Sequence, residues 1–228
     1  MESATEPIAA PPTDVPEELR GPPPPRHGGL LTLLRFMRQR GMLNLKYGRL
    51  LLRLAWWKLR LGRRLKLDGF AFVGPGCKLQ VGRDAVLELG RWSWVGHGTK
   101  IRCHEGVVSI GAKTVLGQEC TISAYQHVSI GRECVIADRV MLIDFDHGMV
   151  EVDRPIRLQG IYKRDVRVGH NVWIGYGVAI LRGVTVGDNS IIGTSAIVSH
   201  DVPANAVAAG VPVRVLRMRR TPRTLRWE

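Results

Sequence analysis

Beyond residue 28 the chain carries six histidines (His97, His104, His127, His147, His170 and His200) and four cysteines (Cys77, Cys103, Cys120 and Cys134), the side chains best suited to hold a metal, move a proton or attack a carbonyl. A zinc site needs closely spaced ligands with a further one nearby. No CxxC or HxxxxH pair occurs, so no metal is expected. No Ser or Cys stands in a recognisable activated arrangement either. Cys120 and Cys134 fall in the small-residue slot of a six-residue repeat and are read as reduced core thiols, which fits a reducing cytoplasm. An imidazole, with an ordinary pKa of about 6.5, is suited to take a proton from a hydroxyl near neutral pH, but spacing alone singles out none of the six histidines for that work.

Such an imidazole must be held by a scaffold, and residues 168–216 show which one. Aliphatic residues recur every six positions at Val168, Ile174, Ile180, Val186, Ile192 and Val198, and four of the six are followed by Gly. A small residue (Val172, Val178, Val184, Ser190, Ala196, Val202) sits four places after each. Neither a helix nor an alternating strand has period six. A flat-sided parallel β-helix does: one aliphatic per rung points into a narrow core, a small residue fits the corner, and Gly, Asp or Asn takes the tight turn. Upstream, the aliphatic positions are Val81, Leu89, Val95, Ile101, Ile110, Leu116, Ile122, Ile130, Ile136 and Leu142. Three make one coil, and coils start at Leu89, Ile110, Ile130, Val168 and Val186. Steps of 21 and 20 in place of 18 put short bulges near Glu105 and Gln126. The step of 38 from Ile130 to Val168 leaves 144–167 looped out, and excursions from one edge of a solenoid are where binding surfaces tend to lie.

The expected division is a disordered Pro-rich tail over 1–28, a basic amphipathic helical segment over 29–64, a parallel β-helix over 65–213 with the inserted loop 144–167, and a basic tail over 214–228. The tail is dominated by Pro, Ala, Glu and Gly and buries too little apolar surface to offset its ordering entropy. The net charge is +13, and twelve Arg and Lys between Arg26 and Leu67, with no acid among them, nearly account for it. At helical spacing Leu43, Tyr47, Leu50, Leu54, Trp57 and Leu61 share one face, with Lys46, Arg49, Arg53, Arg60 and Arg64 on a neighbouring stripe. Gly41, Gly48 and Gly62 argue against one unbroken helix.

Two readings of this segment fit. One is an interfacial helix drawn to anionic lipid, with Trp56 and Trp57 at headgroup depth. The other is a helix packed on the β-helix or on a neighbouring subunit, its arginines solvated. No apolar run reaches the roughly 18–20 residues that span a bilayer, and no signal peptide is recognisable, so the expected location is cytoplasmic, with peripheral contact at the membrane face. The basic charge comes without regular aromatic interleaving or a known binding motif, so no nucleic-acid partner is expected. Both open ends of the stack need covers, and the helical segment and the residues after Pro212 are the candidates.

The hexad array, with NVWIG (Asn171 to Gly175), GVTVGDNSIIG (Gly183 to Gly193), VSHDVPANAVAAGVP (Val198 to Pro212) and VRVLR (Val213 to Arg217), closely resembles the hexapeptide-repeat acetyltransferases over 65–217. The nearest branch is the maltose and galactoside acetyltransferases and the related O-acetyltransferases of polysaccharide gene clusters. The resemblance implies an all-β fold on a left-handed parallel β-helix, an exception to the right-handed crossover rule. It also implies a homotrimer with active sites between subunits, and acetyl-CoA as cosubstrate.

The family's catalytic histidine stands in the looped region, and an ungapped alignment from Ile130 places it at His147, in IDFDHG. On that reading His147 deprotonates a sugar or glycan hydroxyl, which attacks the thioester directly, and then protonates the departing thiolate. Asp144, Asp146 or a backbone carbonyl would orient the imidazole. By resemblance, Trp173 lies near the active-site end of the CoA groove, Tyr176 and Thr194 border the pantetheine arm, Ser199 and His200 lie further along, and Arg214 and Arg217 face the 3′-phosphate. On the acceptor side Gly117 and Tyr125 stand where maltose and galactoside enzymes carry an Asn and an Asp that contact sugar, so a larger glycan or a glycolipid is the expected acceptor. Two other classes compete. A γ-type carbonic anhydrase shares the scaffold but needs three histidines spaced for zinc. A non-catalytic scaffold or anionic-surface binder would release no thiol from acetyl-CoA.

Overall fold

A computed structural model describes residues 35, 37–39 and 41–219. The expected tail over 1–28 and residues 220–228 of the basic tail lie outside the described residues. The chain separates into two units, one of 45–219 and one of 1–44 with 220–228. In the latter, residues 37–39 are helical and Met42 N donates to the Met37 carbonyl (2.8 Å).

The unit of 45–219 opens with the helix Leu45–Leu61, which buries Leu50, Leu54, Trp57 and Leu61, a single stripe at helical spacing. Leu54, Trp57 and Leu61 join the core of the coils, so the helix covers the start of the stack. Part of its basic stripe is tied down as well: Arg53 Nη1 donates to the Val73 carbonyl (3.1 Å), Arg64 Nη1 to Val81 (2.7 Å) and Lys58 Nζ to Leu65 (2.7 Å). The structure thus favours packing for this face and corrects the lipid placement of Trp57, which is turned inward while Trp56 stays half exposed. Leu43, expected on the buried face, precedes the helix and is exposed. Gly48 lies inside the helix; Gly62 follows it with φ +57. No helix among the described residues is long and apolar enough to cross a membrane.

From Leu65 the chain winds into a three-faced parallel β-solenoid, with six strands on the first face, eight on the second and six on the third. The hexad positions stack in register. Leu89, Ile110, Ile130, Val168 and Val186 align on the first face. Val95, Leu116, Ile136, Ile174 and Ile192 align on the second, and Ile101, Ile122, Leu142, Ile180 and Val198 on the third. All are buried, and each such side chain contributes about 1.5–3 kcal/mol of transfer free energy. One further coil precedes these, built on Leu67, Val73 and Leu79 in register with Leu89, Val95 and Ile101. Val81, assigned from the sequence as a hexad position, instead faces inward two residues later, opposite Cys103.

In several of the buried small-residue slots a polar atom donates to the next coil, whereas the buried Ser93 hydroxyl finds no partner among the described residues. Thr99 Oγ1 donates to the Gly117 carbonyl (3.1 Å), Cys120 Sγ to Ala137 (3.2 Å), Thr114 Oγ1 to Gly131 (2.6 Å) and Cys134 Sγ to Gly169 (3.1 Å). Corner turns place Asn171, Asn189 and Asn205 at φ 53, 59 and 61. Their side-chain amides form a ladder, Asn171 Nδ2 to Asn189 Oδ1 (2.8 Å) and Asn189 Nδ2 to Asn205 Oδ1 (3.2 Å). Aspartates complete the corners of the coil before their own: Asp138 accepts from Gln118 N (2.6 Å), Asp188 from His170 N (2.7 Å) and Asp201 from Thr185 N (2.7 Å). The last face ends on Arg214–Met218, which turns back antiparallel on Ala206–Ala209.

Candidate active site

The third corner, where the third face returns to the first, is the irregular one. Both expected bulges lie there, at 104–106 and 125–126, and so does the excursion from Asp144. The residue after each inward Cys103, Ala124 and Asp144 is an aromatic ring: His104, Tyr125 and Phe145 lie one above another because their strands are in register. The His104 and Tyr125 rings stack at 4.4 Å and 10°, Phe145 meets Tyr125 edge-on at 4.7 Å, and His147 meets Phe145 edge-on at 6.3 Å. His104 also bonds Ser123 Oγ through Nε2 (3.2 Å).

His147 ends the strand Phe145–His147, which pairs antiparallel with Ile161–Lys163 to form a hairpin standing off the corner. The imidazole is exposed, and among the described residues nothing hydrogen-bonds to it. The neighbouring carboxylates are engaged elsewhere. Asp144 is fully buried and accepts from Tyr125 N (2.8 Å) and Gln126 N (2.7 Å), closing the bulge below, while its own carbonyl accepts from Arg164 N (2.8 Å). Asp146 accepts from Arg182 Nε (2.6 Å), one coil above. Neither therefore touches the imidazole they were expected to orient; they clamp the strand that carries it. Lys163 on the returning strand pairs with Glu105 and lies over the Tyr125 ring at 5.4 Å.

Within one chain the other expected residues fall in four places. Ser199 and His200 share the third corner with His147, their side chains 3.4 Å apart. Gly117, Tyr176 and Thr194 lie at the second corner, across the width of the third face. There a Cβ on Gly117 would stand 2.4 Å from Asp138 Oδ1, so the missing side chain serves coil packing. Tyr176 Oη accepts from Arg139 Nη1 (3.0 Å), and hydrogen bonds to Glu119 and Tyr176 raise the guanidinium above its ordinary range. Trp173 is half exposed on the second face, in an outward column with Trp94, Val115, Val135 and Ile191. Arg214 and Arg217 are exposed on the antiparallel last strand.

Sequence reasoning missed His104, Phe145 and Arg182. The bulge positions were the available signal: counting one residue past each inward side chain at the lengthened corner brings His104, Tyr125 and Phe145 into one column. Among the described residues no three His, Cys, Asp or Glu side chains gather as a metal would require. Burial pushes the Cys103 and Cys120 thiols up to about 12 and about 11, and raises Cys77 and Cys134 as well, which keeps them protonated and poorly nucleophilic.

A family model described as bacterial transferase hexapeptide (six repeats) matches residues 165–200. A probable acetyltransferase of Mycobacterium tuberculosis is 36% identical over 183 residues, covering 76% of this chain and 60% of the relative. The galactoside O-acetyltransferase of Escherichia coli is 42% identical over 111 residues, 48% of this chain and 53% of the relative. Nodulation protein L of Rhizobium meliloti is 39% identical over 126 residues, 53% and 68% of the respective chains. The chain thus spans little more than half the length of the first two. An N-acyltransferase from Bacillus cereus, solved with dTDP and coenzyme A, has a TM-score of 0.63 at 15% identity over 73% of this chain and 89% of that one, a likeness of fold alone. With its hexads stacked in register, the family model matched over 165–200 and a relative 39% identical covered to 68% of its length, the chain belongs to the hexapeptide-repeat family of bacterial transferases.

Proposed function

We propose that this protein transfers an acetyl group from acetyl-CoA to a hydroxyl of a saccharide, with His147 as the general base. The observation that carries the reading is the setting of that residue: a solvent-accessible imidazole on a hairpin strand clamped through Asp144 and Asp146, at the head of a column of rings. The relatives named as acetyltransferases, one of them acting on galactosides, support the donor and acceptor classes.

The hydroxyl oxygen attacks the thioester carbonyl as its proton passes to His147. The tetrahedral intermediate then expels the CoA thiolate, which takes the proton back, so the imidazole ends neutral as it began. Transfer is direct, since the buried thiols with raised pKa offer no cysteine nucleophile. Trp173, Tyr176 and Thr194 flank the pantetheine arm, Ser199 and His200 lie further along the groove, and Arg214 and Arg217 meet the 3′-phosphate by charge-assisted hydrogen bonds.

These roles require a neighbour. One chain keeps Tyr176 and Thr194 at the second corner and Trp173 on the second face, while Ser199 and His200 share the third corner with His147. A second copy that sets its second corner against this third corner joins the two halves, and three copies in that relation close a homotrimer. The helix adds a peripheral role at a cytoplasmic membrane face: Leu45, Leu52, Trp56 and Leu59 remain exposed beside Arg49 and Arg60, an outer side that fits anionic lipid.

The test is His147→Ala. We expect kcat for thiol release from acetyl-CoA with a saccharide panel to fall by about 10²- to 10⁴-fold, with CoA affinity and assembly state unchanged. Near-normal turnover by that variant rejects the assignment. For the helix, vesicles containing anionic lipid should float the protein, and Leu52→Glu with Leu59→Glu should abolish flotation.

A further inference from the structure

Below the ring column lies a cavity of about 700 Å³ that the transfer reaction alone leaves unexplained. It is bounded by the C-terminal end of the helix Leu45–Leu61, the turn after it and the outward side of the third face, and three guanidinium groups line it: Arg60, Arg64 and Arg102. Glu105 also lines it, but its carboxylate is engaged by Lys163, so the cavity keeps an excess of positive charge.

The three arginines are not equally occupied. Arg64 spends Nη1 on the Val81 carbonyl, and Arg60 rests over the Trp56 and Trp57 rings at 5.2 and 5.8 Å. Arg102 is half-buried between Gln80 and Ser123 on adjacent coils, and among the described residues its guanidinium makes no hydrogen bond or ion pair. A planar five-donor fork held partly out of water without an acceptor favours an oxyanion, and phosphate offers enough oxygens and charge to engage more than one guanidinium.

The upper wall of the cavity is His104 and Tyr125, the lower two rings of the column that continues through Phe145 to His147. We infer that the acceptor is a saccharide bearing a phosphate: the phosphate lies in the cavity against Arg102 and Arg60, the sugar runs along the ring column, and its hydroxyl reaches His147. This rests on the acetyltransferase reading and narrows its acceptor from any saccharide to a phosphorylated one. The source is either a sugar phosphate in solution or a phosphate-linked sugar on a lipid, and both carry the same recognised group.

The experiment measures binding by calorimetry to the full-length protein, separately from turnover, with glucose 1-phosphate, glucose and inorganic phosphate as probes. Glucose 1-phosphate should bind at least tenfold more tightly than either of the others. Arg102→Gln should remove most of that advantage, Arg102→Lys only part of it, and His147→Ala none, because His147 acts on the hydroxyl. Equal affinity for glucose and glucose 1-phosphate overturns the inference, as does unchanged binding in Arg102→Gln with a wild-type melting temperature. If inorganic phosphate binds as tightly as the phosphosugar, the cavity is a bare anion site and the acceptor assignment falls. Phosphosugar binding without any thiol release from acetyl-CoA would instead count against the acetyltransferase reading. A dolichyl-type glycosyl phosphate in vesicles, compared with the soluble phosphosugar, separates the two sources by which is acetylated faster.

Discussion

The first and third corners of the solenoid meet the same demand with opposite means. At the first, every coil turns in the same few residues, and the asparagine amides of Asn171, Asn189 and Asn205 stack from coil to coil. At the third, successive coils carry additions at 104–106, at 125–126 and then the long excursion from Asp144, and there the rings, the exposed imidazole and the arginine-lined cavity collect. The aliphatic ladder behind both corners is uninterrupted. Chemistry enters this fold where residues are added without disturbing the register, so stability and activity should respond to different substitutions.

Four changes sharpen that contrast, beyond the loss of turnover expected for His147→Ala. The largest stability effect belongs to the ladder: Ile136→Ala should cost about 2–5 kcal/mol in chemical denaturation, because a closed stack cannot collapse around the hole. Asp144→Ala comes next. It leaves the part-buried amides of Tyr125 and Gln126 without their acceptor and releases the base of the hairpin, for about 1–3 kcal/mol of stability together with a fall in kcat that Ile136→Ala does not share. Equal kcat in the two variants would show that the corner and the ladder are not separable.

Alkaline pH probes the thiols buried at the corners of the stack. The folded thiols of Cys103 and Cys120 titrate near 12 and 11 against an ordinary 9.0, so their neutral form is favoured by folding. That contribution is complete below the unfolded value and is lost as pH rises from about 9 through the folded values. The melting temperature should therefore fall across that window, and less so in Cys103→Ala with Cys120→Ala. The smallest effect is expected for Asp146→Asn. Its pair with Arg182 is partly exposed and is worth about 0.2–1 kcal/mol, so stability should barely move while KM for the acceptor rises as the strand loosens.

The ladder was legible in the sequence from Leu89 onward because each hexad keeps an aliphatic and a small residue at fixed spacing. The β-helix was placed from residue 65, but the hexad positions Leu67, Val73 and Leu79 went unassigned because the step of 22 to the next coil departs from 18 and Val81 competes with Leu79 as the inward residue. His147 was accessible through its resemblance to a known family. Its surroundings were not, because contact between His104, Tyr125 and Phe145 depends on how many residues each coil adds at one corner, and only the strand register fixes which of these stand in line. The helix divided in the same way: its apolar stripe, Trp57 included, was readable, but periodicity does not say whether that stripe meets lipid or the first coils, which only the packing decides.

The reaching-back aspartates give the solenoid a direction. Asp138, Asp144, Asp188 and Asp201 each complete a turn that the chain has already passed, so the turns at Gln118, Tyr125, His170 and Thr185 are left unfinished until the next coil arrives. Shortening such a tower from its late end would strip those turns of their acceptors. Arg214–Met218, folded back against the last rung, is therefore the roof that lets the construction stop.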